Sequence, residues 1–190
     1  AIIREMLRPS VARYFMSRPR RFGKSLLVDT LKCIFEGRRE LFKGLAIDST
    51  DYDWVKYPVI HFDMTLVKDS DPEIVKQRLI RQVRKRLVAA GIADTGVESP
   101  GDLLAALIEG LADKSPTGKV VVLVDEYDAP VGGLLHNLDA LNKVRDILHD
   151  FYVVMKSLDG KMRFLFMTGV SKFTKLSVFS GINHLTDISM

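Results

Sequence analysis

Two kinds of hydrophobic pattern alternate along this chain. Short runs that are apolar almost throughout are typical of strands buried on both faces of a sheet. Longer stretches keep their apolar residues on one stripe, which predicts amphipathic helices. The predicted strands are 13–17, 58–63, 120–126 and 162–167, and the predicted helices are 24–36, 71–90, 99–112 and 139–158. Because strands and helices alternate, the pattern predicts an α/β fold with a mostly parallel central sheet and helices on both faces.

The other segments have weaker patterns. Residues 1–12 are interpreted as a short helix or lead-in, and 184–189 as a candidate edge strand. Residues 38–57 are interpreted as a polar connection in which Trp54 and Tyr57 cap the core. In the predicted helix 71–90, Ile74 is expected to face the core together with Leu79, Ile80, Val83 and Leu87. Asp71 and Ser99 stand before prolines, where their side chains can cap a helix start.

Length and composition favour one domain over residues 1–190. A chain of 190 residues with 47% hydrophobic residues can bury one good core and is small for two. The chain begins without methionine and stops after another ordered-looking segment, so we expect a fragment of a longer protein. No apolar run is long enough to cross a bilayer, and the single cysteine, Cys33, allows no internal disulfide. We therefore expect no membrane partner, a cytoplasmic location and a buried, structural Cys33.

The net charge of +4 is unevenly distributed. Residues 1–44 contain eleven Lys and Arg but only four Asp and Glu, which suits polyanionic ligands, nucleotide first and nucleic acid second. The predicted helix 71–90 carries six further basic residues that we expect to lie largely outward: Lys76, Arg78, Arg81, Arg84, Lys85 and Arg86. No aromatic residues interleave with them to stack on bases, so a solvated helix face is favoured over a nucleic-acid interface.

A basic glycine turn joins the first predicted strand to the helix after it. In residues 17–25, Gly23 would let the backbone approach phosphates, Lys24 would supply a point charge, and the Ser25 hydroxyl would be a ligand for Mg²⁺. This is the layout of a phosphate-binding loop at a helix N-terminus. The pattern G-x-x-x-x-G-K-[ST] places its first glycine at position 18, where this chain has Arg18, so only the second half of the motif matches. A basic turn without a ligand is the alternative.

Two adjacent acids end the most hydrophobic predicted strand. Asp125 and Glu126 follow Val120–Val124, and in P-loop ATPases the first such acid holds Mg²⁺ while the second polarises the attacking water. The alternative is a pair of solvated acids at a strand end. Further along, Thr168 could sense the terminal phosphate or the attacking water, or could simply favour the strand. Asp63 ends a neighbouring strand and is a weaker candidate, and His61 with Asp63 makes a poor metal pair.

Several stretches together resemble one family. Residues 14–25, which include R-P-R-R-F-G-K-S, residues 124–130, V-D-E-Y-D-A-P, and residues 168–173 with 179–188 resemble the AAA-ATPase-like family in the family's order. This resemblance implies a P-loop NTPase three-layer sandwich and makes Arg18 normal for the loop. It also implies ATP as the nucleotide, whereas the sequence alone leaves adenine versus guanine open because no base-reading motif is visible. Members often carry a C-terminal PD-(D/E)XK nuclease-like domain, which has no counterpart in these residues.

The resemblance and the motifs together predict a set of site residues. Lys24, Glu126 and Thr168 are the candidate catalytic residues, and Ser25 and Asp125 the candidate Mg²⁺ ligands. The candidate nucleotide-binding residues are Arg20, Arg21, Phe22, Gly23, Lys24, Ser25 and Leu26. In a further hypothesis, Arg20 or Arg21 neutralises phosphate charge in cis.

We therefore expect an ATP-binding domain with slow or partner-stimulated, Mg²⁺-dependent hydrolysis that drives a conformational switch. Two other functions stay open, a non-hydrolysing nucleotide-binding or scaffold module and a nucleic-acid-binding protein. Candidate partners besides the nucleotide are nucleic acid, a protein effector and the fused nuclease-like domain.

Overall fold

The computed structural model describes residues 2–8, 12–19, 21–170 and 185–189. The strands are β1 (Ala12–Ser17), β2 (Val59–Asp63), β3 (Val120–Asp125), β4 (Met162–Gly169) and β5 (Thr186–Asp187). The helices are α1 (Ile2–Leu7), α2 (Lys24–Phe35), α3 (Pro72–Ala89), α4 (Pro100–Lys114) and α5 (Leu138–Ser157). Short 3₁₀ helices lie at Arg39–Phe42, Met64–Val67 and Asp159–Lys161. Within these ranges, every helix is too short or too polar to cross a bilayer.

The five strands form one sheet in the order β2-β3-β4-β1-β5, and every neighbouring pair is parallel. Parallel neighbours need long crossover connections, which the helices supply. The register sets Asp63 beside Asp125 and Met16 beside Thr168, so the C-terminal ends of β1 to β4 lie along one edge. Residues that follow these strands therefore meet at that edge.

Alternate side chains of β3 divide the core into two layers. Val121 and Leu123 pack with Val28 and Ile34 of α2 on one face of the sheet. Val122 and Val124 pack on the other face, in a core that α3, α4 and α5 complete. Because successive strand residues point to opposite faces, a fully apolar strand must be covered on both sides. The predicted α/β fold, a three-layer sandwich with a parallel sheet, is confirmed.

The predicted helix starts are confirmed by their capping bonds. Asp71 accepts a hydrogen bond from the Glu73 amide at 2.9 Å, with Pro72 in the first helical turn. The Ser99 hydroxyl accepts one from the Asp102 amide at 3.1 Å. These bonds satisfy amides that the helix itself leaves unpaired.

Some sequence predictions about facing and burial were wrong. Ile74 is 41% exposed, and Val75 takes the core position because residues 75, 79, 83 and 87, spaced by four, form one stripe. Residues 38–57 are not purely a polar connection, since Phe42 is buried and packs on Trp54 at a ring distance of 5.4 Å. Cys33 is half-buried rather than fully buried. Of the predicted edge strand 184–189, residue 184 lies outside the described residues and only Thr186–Asp187 pair with β1.

Candidate functional site

The loop between β1 and α2 reaches the helix through a left-handed glycine. The Arg18 amide donates to the Gly169 carbonyl at 3.1 Å, which ties the start of the loop to the end of β4. Gly23, the N-cap of α2, has φ of 73°, a conformation that costs glycine nothing. Asp71, Ser99 and Asn137 cap α3, α4 and α5, whereas no side chain of the described residues caps α2. The first amides of α2 therefore remain available to an anion.

Lys24 is held between the loop backbone and the second acid of β3. Its side chain is buried, and Nζ donates to the carbonyl oxygens of Arg18 at 3.0 Å and Pro19 at 3.1 Å. Nζ also lies 2.9 Å from Oε1 of Glu126. An ammonium group has three hydrogens to donate, so these contacts use its full capacity. Lys24 can take a phosphate oxygen only by exchanging one of these partners.

Asp125 receives hydroxyl donors from two different elements. The Ser25 hydroxyl, at the start of α2, donates to Oδ2 at 2.5 Å, and the Thr168 hydroxyl, on β4, donates to Oδ1. Asp125 is 6% exposed and Thr168 is fully buried, whereas Ser25 is exposed. While it donates, the Ser25 oxygen keeps lone pairs for a cation. Ser25 and Asp125 are thus close enough to share one metal ion.

The end of β3 turns sharply at Glu126. This residue has φ of 53°, in the left-handed region that non-glycine residues rarely adopt. Its amide donates to the Thr168 hydroxyl at 3.2 Å, and the Tyr127 amide donates to the Thr168 carbonyl at 2.8 Å. Through its hydroxyl, Thr168 therefore holds both the carboxylate of Asp125 and the backbone amide of Glu126 in place.

Gly169 permits a close approach that the sequence analysis did not anticipate. A Cβ atom at this position would lie 2.2 Å from Cε1 of Tyr127 and 2.8 Å from Oδ1 of Asp128. Asp128 in turn accepts the Val170 amide at 3.2 Å. The segment after the acids thus packs directly against the end of β4. The one available signal was a glycine immediately after the candidate Thr168, at the end of a largely apolar strand.

A cavity of about 800 Å³ extends from the acids toward β2 and α5. Its polar lining includes Ser25, Asp125 and Glu126 as well as Asp63, whose carboxylate accepts the Thr65 amide at 2.9 Å. Two cations, Lys68 and Arg145, also line it, together with apolar residues of the connection between β3 and α5 and of α5 itself. Sequence reasoning missed both cations, since nothing in the local pattern distinguishes them from solvated surface residues.

The predicted site residues therefore fall into three groups. Lys24, Ser25, Asp125, Glu126 and Thr168 lie in mutual contact. The side chains of Arg21 and Phe22 in the loop and of Leu26 in the first turn of α2 are exposed, the last two by 61% and 73%. Arg20 lies outside the described residues. The predicted roles of all these residues stay predictions.

A metal ion at this site would need ligands from outside the protein. Among the described residues, no group of three or more His, Cys, Asp or Glu side chains could hold a metal ion. Mg²⁺ fits such a site, because it is usually bound through one or two protein oxygens, phosphate oxygens and water.

His61 is not one of the candidate metal ligands. Its Nε2 is buried without a hydrogen-bond partner among the described residues, and burial lowers the pKa of His61.

The basic face of α3 is partly used within the protein. Arg78 pairs with Asp69 at 2.9 Å, and Arg84 pairs with Asp94 at 2.8 Å. Arg86 was expected outward, but its guanidinium lies 4.5 Å above the Phe62 ring, and burial lowers the pKa of Arg86. These contacts reduce the charge that α3 can offer to nucleic acid.

The comparisons with known proteins agree with this geometry. The family model described as "Predicted AAA-ATPase", AAA-ATPase-like, matches residues 2–179. The chain is also similar to an "Uncharacterized protein in vnfD 5′region" of Azotobacter chroococcum mcd 1, with 39% identity over 181 residues. That match covers 93% of this chain and 34% of the relative, so the chain spans about a third of the relative's length. With its family model matching nearly end to end, the chain belongs to the AAA-ATPase-like family of predicted AAA-ATPases.

Proposed function

We propose that this domain binds ATP with Mg²⁺ at the loop before α2 and hydrolyses it, slowly or on stimulation by a partner, to drive a conformational switch. The observation that supports this most is the direct contact between the start of α2 and the two acids at the end of β3. Ser25 Oγ lies 2.5 Å from Asp125 Oδ2, and Lys24 Nζ lies 2.9 Å from Glu126 Oε1. The groups that can donate hydrogen bonds to phosphate and the oxygens that can bind a metal ion therefore occupy adjoining positions, as phosphoryl transfer requires.

Each part of the site fits one part of the ligand. The uncapped amides of α2 and the Lys24 ammonium suit the phosphates, and the Ser25 and Asp125 oxygens suit Mg²⁺. When bound, Mg²⁺ would neutralise charge on the phosphate oxygens. Glu126 would orient and deprotonate the attacking water. Thr168 touches both acids and would act as a positioning residue. The preference for ATP comes from the family.

The Lys24 to Glu126 ion pair suggests how binding could prepare hydrolysis. Lys24 must exchange a partner to bind a terminal phosphate, and Glu126 is the partner that can move, because the carbonyls of Arg18 and Pro19 belong to the loop itself. Once released, the Glu126 carboxylate can accept a proton from water. In this proposal the ion pair is the local switch, and Arg20 or Arg21 adds positive charge in cis.

Phosphate release from Mg·ATP tests the proposal directly. The parent should release phosphate, and Glu126→Gln should lower turnover by at least about 100-fold, the usual contribution of a general base, while ATP affinity is kept. Lys24→Ala should lose ATP binding, whereas Lys32→Ala, on the same helix and 40% exposed, should match the parent. If the parent binds ATP but releases no phosphate even when candidate effectors are added, the non-hydrolysing module replaces the proposed ATPase.

The whole protein's role is a further part of the proposal. A nuclease-like domain, a protein effector or nucleic acid would use the switch, and a cytoplasmic setting would supply the ATP. These partners follow from the family resemblance and from the excess of basic residues in 1–44.

A further inference from the structure

We propose that the cavity beside the acids binds a second, small ligand that has an anionic group and an apolar body. Lys68 and Arg145 would hold the anionic group, a phosphate or a carboxylate. This site adjoins the proposed nucleotide site and shares Ser25, Asp125 and Glu126 with it, but among the described residues Lys24 and the loop before it do not line the cavity. The ligand would lie next to Glu126 and so act on the switch.

The two cations have no ion-pair partner among the described residues. None of the ion pairs among the described residues includes Lys68 or Arg145. The Nε atom of Arg145 is buried and has no hydrogen-bond partner among the described residues. An arginine fork without a partner is a strong receptor for a phosphate or carboxylate. Lys68 adds a second positive charge in the same cavity wall.

The carboxylates in the cavity are, by contrast, engaged by the protein's own donors. Asp63 accepts the amide and hydroxyl of Thr65, at 2.9 and 2.6 Å. Asp128 accepts the Val170 amide at 3.2 Å, and Glu126 pairs with Lys24 at 2.9 Å. Asp125 accepts two hydroxyls. Lys68 and Arg145 are therefore the charged side chains of this cavity that have no protein partner among the described residues, and an anionic group would pair with them.

The size and lining of the cavity suit a small molecule better than a lone ion. Its volume of about 800 Å³ lies within the usual range of ligand pockets, roughly 300–1,000 Å³. Ala129, Val131, Leu135 and Leu141 supply an apolar wall that a phosphate ion alone would not use. The Lys68 stem runs along the Gly133 backbone, with Cε 3.3 Å from the position of a Cβ there. The Lys68 ammonium also lies near Gly133, with Nζ 3.7 Å from that position.

Phenylphosphonate is a suitable probe, since it joins an aromatic ring to a doubly charged phosphorus group. Binding is measured by calorimetry, with inorganic phosphate as the anion without a ring and benzyl alcohol as the ring without an anion. One arm uses the protein saturated with Mg²⁺ and a non-hydrolysable ATP analogue, so that the loop is occupied. A second arm uses nucleotide-free Lys24→Ala, so that the test does not depend on nucleotide binding.

In both arms we expect phenylphosphonate to bind saturably and more tightly than either comparison compound. Arg145→Gln and Lys68→Gln should each weaken binding by about 10-fold, the effect of removing one partner of a charge-assisted contact. Lys143→Gln is the matched control, because Lys143 is on the same helix but pairs with Asp139 at 2.8 Å on the surface. Lys68 is exposed, so its variant should fold even if Arg145→Gln does not.

Three results would overturn the second site. The first is that phenylphosphonate shows no saturable binding in either arm. The second is that it binds the parent, Arg145→Gln and Lys68→Gln equally tightly. The third is that it binds the parent but not Lys24→Ala, which would place the probe at the loop. Failure of the ATP proposal looks different, since the analogue would then not bind while phenylphosphonate still bound nucleotide-free Lys24→Ala.

Discussion

The hydroxyl of Ser25, at the start of α2, donates a hydrogen bond to Oδ2 of Asp125, at the end of β3. The oxygen atoms lie 2.5 Å apart, although 100 positions separate the two residues in the sequence. The contact exists because β1 and β3 are parallel strands of one sheet, with β4 between them. Both strands end at the same edge, so a helix that follows β1 starts beside the last residue of β3. This relationship turns two separate motifs into one site.

Thr168 should be required to position both acids. Thr168→Val keeps the shape but leaves Asp125 Oδ1 and the Glu126 amide without their buried partner. An unsatisfied buried polar group costs about 1–3 kcal/mol, so the free energy of unfolding should fall by about that amount in urea titrations. Thr168→Ser retains the hydroxyl and should recover most of the stability. A Val variant as stable as the parent would contradict the proposed positioning role.

Gly169 should tolerate no side chain. In Gly169→Ala the new methyl group would lie 2.2 Å from the Tyr127 ring, so the ring or the strand must shift. Overpacking of this kind costs about 1–3 kcal/mol, measured as a lower midpoint of thermal or urea unfolding. Gly160→Ala is the control, because a Cβ there meets nothing within 4 Å. If the two substitutions lowered the unfolding midpoint equally, the contact with Tyr127 would not be the cause of the loss of stability.

His61 should make the folded state sensitive to acid. Burial lowers the pKa of His61 below its ordinary 6.5, so below about pH 6.5 the unfolded chain binds a proton that the folded chain resists. The contribution of His61 to stability is therefore complete above that pH and declines as the pH falls toward its folded pKa. Urea unfolding between about pH 7.5 and 5.5 should show a shallower loss of stability for His61→Gln than for the parent. Parallel pH profiles would contradict this prediction.

The arrangement of strands, and with it the meeting of loop and acids, could be predicted from the sequence. An apolar run such as 120–124 has few other places to lie than the centre of a sheet, and each polar residue that follows a parallel strand falls on one edge. Lys24 and Glu126 were assigned to one site for this reason. The helix starts at Asp71 and Ser99 were predictable because capping is local chemistry.

Features that depend on tertiary packing could not be predicted in the same way. Lys68, which follows β2, and Arg145, on α5, line one cavity although they lie far apart in the sequence. Ile74 and Val75 are equally apolar neighbours at the first turn of α3, where a small rotation of the helix decides which one is buried. The closeness of Gly169 to Tyr127 likewise follows from the left-handed turn at Glu126, which local propensity does not favour.

ATP binding measured with and without Mg²⁺, in the parent and in Ser25→Ala, is the most direct test that loop and acids form one nucleotide site. We predict that Mg²⁺ tightens ATP binding to the parent by at least about 10-fold, or 1.4 kcal/mol, and that Ser25→Ala loses most of this gain. ATP affinity that is the same with and without Mg²⁺, or a Mg²⁺ effect that Ser25→Ala retains in full, would contradict it.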